Sequence, residues 1–112
     1  MANYYRNAFY DPNTTAAVTV YSCPSNSRAI IQNIQVTNEA GSKVLKASIN
    51  DSSTSTIFQI AYASITGPTI CNIASGPIVL EESDSLTLAT SNVSYISAVV
   101  SILEMNRNDQ NG

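Results

Sequence analysis

Regular alternation, scarce charge and closely spaced turn residues specify an all-β chain. The expected architecture is an eight-stranded antiparallel sandwich, jelly-roll-like, with an N-terminal extended arm. Apolar and polar residues alternate with period 2 from about residue 17 onward. Only 12% of the 112 residues are charged, against a usual ~25%, and Ser, Thr and Asn fill the polar positions. Helices normally carry Lys and Glu on their wet face, so a neutral hydroxyl and amide surface suits strands. Clusters of Gly, Pro, Asn and Ser interrupt the apolar runs about every ten residues, the spacing of a two-sheet sandwich or small barrel.

The elements follow in order. Val18 and Val20 alternate with Thr19 and Tyr21 in a short first strand, which the turn cluster Ser22 to Ser27 closes, with Pro24 lacking a ladder donor. Ala29 to Asn38 reads as a second strand, with Ile30, Ile34 and Val36 on one face. Glu39 to Ser42 is a hairpin-length loop containing Gly41. Lys43 to Asn50 follows, with Leu45, Ala47 and Ile49 inward. Thr56 to Ala63 places Phe58, Ile60 and Tyr62 on one face. Gly67-Pro68 turns the chain into Thr69 to Ala74, and Gly76-Pro77 breaks that segment from the short strand Ile78 to Leu80. Ser85 to Thr90 turns Leu86 and Leu88 inward. Tyr95 to Met105 is the longest segment. Its inward face is Ile96, Ala98, Val100 and Ile102, and Tyr95, Val99 and Leu103 give the other face apolar character, as a central strand would have. The chain thus divides into an arm over residues 1–16, a sandwich over 17–105 and a polar tail over 106–112.

A chain of this length forms one domain and buries roughly 65% of its unfolded surface, so association with neighbours would help it. The net charge of −3 gives no basic footprint for nucleic acid and no polybasic attraction to a membrane. There is no histidine, which removes Ser-His-Asp and Cys-His catalysis and imidazole zinc sites. An enzyme is therefore not expected, nor any cofactor. The first residues lack a basic start followed by an apolar run, so no signal peptide is read and synthesis in a cytoplasm is expected. Cys23 and Cys71 have no CxxC spacing and read as reduced, buried thiols.

Several stretches carry a resemblance. They are Tyr21-Ser22-Cys23-Pro24 with its polar loop and the apolar Ala29-Ile30-Ile31, then Ile34-Gln35-Val36-Thr37-Asn38 before a small-residue loop. Gly76-Pro77-Ile78-Val79-Leu80-Glu81-Glu82-Ser83-Asp84-Ser85-Leu86 and the ending Val99-Val100-Ser101-Ile102-Leu103-Glu104 complete it. Together they resemble small virion structural proteins of tailed bacteriophages, especially of marine and cyanobacterial phages, over residues 17–105. Ser83 departs from the pattern, standing where such loops often carry Gly. The resemblance implies a location in the virion and partners among other virion proteins, either the major capsid protein or neck and tail proteins. It also implies a homo-oligomer, with a trimer as one option. The leading role is a capsid decoration (cement) protein; the alternatives are a neck, tail or fibre accessory protein and a carbohydrate-binding module.

Candidate sites are few. Glu81, Glu82, Asp84 and Asp51 offer oxygen ligands for calcium, but an Asp84 that bonds its own turn explains the cluster with fewer assumptions. Lys43, Lys46 and Arg28 suit solvated strand faces as well as a weak basic patch. The arm is the oddity. Tyr4, Tyr5, Phe9 and Tyr10 put four of the chain's eight aromatics (six Tyr, two Phe) into its first ten residues. They can pack on the chain's own sandwich or anchor a partner, with Arg6 between them suited to a carboxylate or carbonyl. Asp11-Pro12-Asn13 separates these residues from the alternating region. The partner-binding set is therefore Tyr4, Tyr5, Arg6, Phe9 and Tyr10. On this expectation, deleting residues 1–12 leaves the melting temperature of the isolated domain nearly unchanged.

Overall fold

The computed structural model describes residues 2–106, within which nine strands follow one another: β1 (Ala2–Tyr10), β2 (Val18–Ser22), β3 (Ser27–Asn38), β4 (Ser42–Asp51), β5 (Thr56–Thr66), β6 (Thr69–Asn72), β7 (Ile78–Leu80), β8 (Ser85–Thr90) and β9 (Ile96–Asn106). No helix of the described residues is long and apolar enough to cross a membrane. The front sheet has the order β1-β9-β3-β6, with β7 also pairing β3; the back sheet has the order β2-β8-β4-β5. All pairs are antiparallel. The chain changes sheet at every connection except the β4–β5 hairpin and the β6–β7 break. All eight predicted segments are strands, and the ninth is β1. β6 and β7 lie along successive stretches of β3, Gln35–Asn38 and Ala29–Ile31, as one strand interrupted by Gly76-Pro77.

The core sits between the sheets and follows the alternation. β9 sends in Ile96, Ala98, Val100 and Ile102, β4 sends in Leu45 and Ala47, and β8 sends in Leu86 and Leu88, all buried. β9 lies between β1 and β3; its inward face fills the core, while Val99 and Leu103 lie on the outer face of the front sheet. Two bulges correct the predicted faces. In β3 the pairing shifts between Ile31 and Asn33, so Ala29, Ile31, Ile34 and Val36 point inward and Ile30 outward. In the β4–β5 pair it shifts between Ala47 and Ser48, which leaves Ile60 as the extra residue. Phe58 then faces Ile49 while Tyr62 faces Lys46, on opposite sides of the back sheet. One inserted residue flips every following side chain.

The arm is the larger correction. Residues 2–10 do not leave the domain. They pair with β9 in unbroken register from Ala2↔Asn106 to Tyr10↔Ala98. Their alternation is present but written in unusual letters. Tyr4, Arg6, Ala8 and Tyr10 point inward; Asn3, Tyr5, Asn7 and Phe9 point outward. Ala8 and Tyr10 belong to the core, so deleting residues 1–12 removes a strand and two core side chains and destabilises the isolated domain. At the other end, Asn106 closes β9 and accepts a 3.2 Å hydrogen bond from the Asn26 side chain. Residues 107–112 of the expected tail lie outside the described residues.

The β3–β4 turn is held from inside. Asn38 is fully buried and donates to the carbonyls of Gly41 (2.9 Å) and Ile65 (3.1 Å). Lys43 is buried beside it, donating to Asn38 Oδ1 (2.9 Å) and to the Ala40 carbonyl. The suggested basic patch is thus not assembled: Lys43 is inside, Lys46 lies on the outer face of the back sheet and Arg28 on that of the front sheet. Gly67 presses on the same turn. A Cβ there would lie 2.7 Å from the Ala40 nitrogen and 2.8 Å from the Asn38 carbonyl oxygen.

Candidate interaction surface

Directly opposed residues on neighbouring strands share a face, so the register writes out the outer face of the front sheet row by row. One row runs Tyr5–Leu103–Ile30–Val79 across β1, β9, β3 and β7. The next is polar, Asn7–Ser101–Asn33, and the one after begins Phe9–Val99 and continues to Gln35 and Asn72. Tyr5 is 80% exposed, Phe9 71% and Val79 57%, while Leu103 and Ile30 are half-buried beneath them. Contiguous exposed apolar surface of this kind marks interaction sites in soluble proteins. The row before the first, Asn3–Met105–Arg28, brings in a charged side chain, Arg28.

The five predicted arm residues therefore separate. Tyr5 and Phe9 lie on this outer face. Tyr4 is partly exposed and turned toward the sandwich interior, with the Arg6 guanidinium 5.4 Å from its ring centre. Arg6 finds its carboxylate within the chain, Nε lying 3.1 Å from Glu104 Oε1. Glu104 is buried, and its other oxygen accepts a 2.6 Å hydrogen bond from the Tyr21 hydroxyl. Burial and then that carboxylate push the Tyr21 phenol well above its ordinary value. Tyr10 is 2% exposed and cannot reach a partner. Its hydroxyl makes no well-formed hydrogen bond among the described residues, although the Thr90 backbone lies close to it. Burial raises its pKa, and the nearby Thr90 backbone offsets this only in part.

Beyond Phe9 the face ends in a cleft bordered by Tyr10, Asp11, Glu39, Val93 and Tyr95. Tyr95 holds φ at +62° with its ring exposed, an uncommon backbone for an aromatic residue, and its carbonyl accepts from the Glu39 amide at 2.8 Å.

The acidic cluster resolves into a turn. Asp84 is buried; its Oδ2 accepts from the Glu81 amide (3.0 Å) and its Oδ1 from the Ser52 amide (3.1 Å). Ser83 takes φ of +67° there, the left-handed conformation that Gly serves more easily. Asp51 is engaged by the Ser53 hydroxyl (2.8 Å) and amide, which lower its pKa. Among the described residues no group of three or more His, Cys, Asp or Glu is placed to hold a metal ion. Cys23 and Cys71 are both free thiols, Cys23 buried and Cys71 half-buried. Burial, with the Glu104 and Asp84 carboxylates, pushes the Cys23 thiol up to about 11.

Sequence reasoning missed Ile30 and Val79 as surface residues. The available signal was the two-sided apolar pattern of β9, which placed Val99 and Leu103 on the outer face.

No protein-family model and no curated protein matches the sequence. Several solved structures are distantly similar in shape. The CBM22-1 and GH10 modules of a Clostridium thermocellum endo-1,4-β-D-xylanase, complexed with xylohexaose, match 75% of this chain at 13% identity and TM-score 0.46. The structure of the infectious bursal disease virus Gx strain matches 99% of it at 13% identity and TM-score 0.43. A pentameric capsid protein from metagenomic phage sequences matches 95% at 14% identity and TM-score 0.42. The chain spans 17%, 32% and 62% of those three chains respectively.

Proposed function

We propose that this protein is a non-enzymatic structural component of a bacteriophage virion, acting as a capsid decoration (cement) protein that binds the assembled head through the outer face of its front sheet. The observation that carries the reading is the Tyr5–Leu103–Ile30–Val79 row with Phe9–Val99 beside it, an apolar surface on a rigid sheet with almost no charge. The resemblance of residues 17–105 to small tailed-phage virion proteins supports the same role. A domain that binds the assembled shell and not its loose parts stabilises the shell by mass action. Tyr5 and Phe9 are the anchors, each worth on the order of 2–4 kcal/mol at a well-packed interface. Location at the neck or tail uses the same surface on another partner.

Quantitative mass spectrometry of purified, washed particles tests the role. High copy number is expected in wild-type particles, with strong depletion when Tyr5→Ala and Phe9→Ala are combined. Absence of the protein from washed particles overturns the reading.

One observation favours a second reading, glycan binding. The Phe9 and Tyr95 rings border a cleft that also holds Asp11 and Glu39, and a sugar uses both a ring face and carboxylate acceptors. Retention on a glycan array, lost in Tyr95→Ala, would select it.

A further inference from the structure

We propose that two copies of this chain pair through β1, antiparallel and about a two-fold axis at Asn7, so that the two front sheets join into one. The inference stands on the strand edges and does not depend on the virion reading.

Edge strands carry unpaired backbone donors and acceptors, and proteins normally blunt them with bulges, prolines, short length or charged side chains, inward-pointing ones included. Three of the four edges here are blunted. β2 is five residues long and bulged between Thr19 and Tyr21. β5 carries the bulge at Ile60. The β6/β7 edge is two short pieces separated by Gly76-Pro77. β1 is different: it has nine residues, no proline and no bulge, and it pairs only β9 among the described residues. Its outward residues, Asn3, Tyr5, Asn7 and Phe9, carry no charge, and its one charged residue, Arg6, is neutralised within the chain by Glu104.

The side chains select the occupant and the register. Antiparallel pairing of two identical strands keeps outward residues opposite outward residues only in alternate registers. Centring on Arg6 sets two guanidinium groups against each other, a destabilising like-charge pair. Centring on Ala8 sets Phe9 against Asn7 and Tyr5 against Asp11. Centring on Asn7 sets Tyr5 against the partner's Phe9 in both directions, Tyr4 against the partner's Tyr10, Arg6 against the partner's Ala8, and Asn7 against itself. Centring on Tyr5 or on Phe9 opposes a single aromatic to itself and pairs fewer residues, whereas the Asn7 register makes two aromatic pairs on the outer face, the favoured cross-strand pair. It also continues the rows already present. Val79–Ile30–Leu103–Tyr5 runs on into the partner's Phe9–Val99, and the polar row Asn33–Ser101–Asn7 meets its own image. Pro12, which lacks a donor, marks where pairing stops.

Light scattering and single-cysteine cross-linking of the full chain test the pairing. At about 100 µM, where an interface of modest size is populated, the mass should be twice the 11.9 kDa of the chain. In a Cys71→Ser background, Asn7→Cys should oxidise to a covalent dimer at least tenfold more than Asn3→Cys, because only position 7 meets itself. Tyr5→Lys with Phe9→Lys opposes like charges at both aromatic pairs and should return the mass to one chain, with the circular dichroism spectrum unchanged. A wild-type monomer, a trimer or larger ring, a dimer that survives the double lysine variant, or equal cross-linking at positions 3 and 7 each overturns the proposal. Particle incorporation with a wild-type monomer would reject this pairing while leaving the virion reading intact.

Discussion

The Tyr21 hydroxyl donates to Glu104 across 2.6 Å, joining residues 83 positions apart and tying the back sheet to the front. Arg6 completes the arrangement from β1, so three strands meet on one buried carboxylate. Removing one member leaves buried polar atoms short of a partner. Tyr21→Phe should cost about 1 kcal/mol, and Glu104→Gln should cost more, about 1–3 kcal/mol, because Arg6 loses its counter-charge as well. Urea denaturation of the purified protein checks both. Equal stability of the two variants and the wild type would show that the bond contributes nothing net.

Alkaline pH should weaken the fold through Cys23. Its thiol has an ordinary value of 9.0 and is pushed up to about 11 in the folded chain. Between those values the unfolded chain releases the proton while the folded chain keeps it, so rising pH favours unfolding. The stabilisation is fully present below pH 9 and fades toward 11. The raised phenols of Tyr21 and Tyr10 act in the same direction from their ordinary value of 10.0 upward. Melting temperatures measured from pH 8 to 11 should fall less steeply in Cys23→Ala than in the wild type. Parallel curves would remove Cys23 as the cause.

Tyr10 presents a buried hydroxyl that makes no well-formed hydrogen bond, with only a weak approach to the Thr90 backbone. Tyr10→Phe keeps the ring and removes the stranded polar atom, so it should raise stability by about 1 kcal/mol. Tyr10→Ala should lower it by about 3–5 kcal/mol through the cavity it opens. Tyr5→Ala, on the exposed face of the same strand, should stay within about 0.5 kcal/mol of wild type. Thermal melts of the three variants separate the core side of β1 from its outer side.

Gly67→Ala should destabilise by about 1–3 kcal/mol, since its new methyl meets backbone atoms of the β3–β4 turn that cannot swing aside. Gly76→Ala is the control, because a Cβ there meets nothing within 4 Å. Chemical denaturation should rank Gly67→Ala well below Gly76→Ala.

The alternation of Leu45, Ala47, Ile96, Ala98, Val100 and Ile102 made the sandwich legible, because every one of those aliphatic positions is spaced by two and faces the core. The bulges were not legible. Counting twos groups Ile30 with Ile34 and Tyr62 with Phe58, across an insertion whose position only the partner strand fixes. β1 escaped for a different reason. Its inward face is Tyr4, Arg6, Ala8 and Tyr10, and an arginine reads as solvent-facing unless the carboxylate of Glu104, far along the chain, is known to await it. The aromatic density of the first ten residues was visible, but its division into a buried Tyr10 and exposed Tyr5 and Phe9 required the register.

The buried amine of Lys43 leaves the chain chemically simpler than its sequence suggests. Of its two lysines, one is sealed under the β3–β4 turn and the other, Lys46, is exposed on the outer face of the back sheet, with its ammonium 5.5 Å from the Tyr62 ring centre. An amine-reactive dye therefore has a single internal lysine to modify, on the side of the molecule opposite Tyr5 and Phe9. A fluorophore placed there can report tumbling and assembly while the apolar face stays bare.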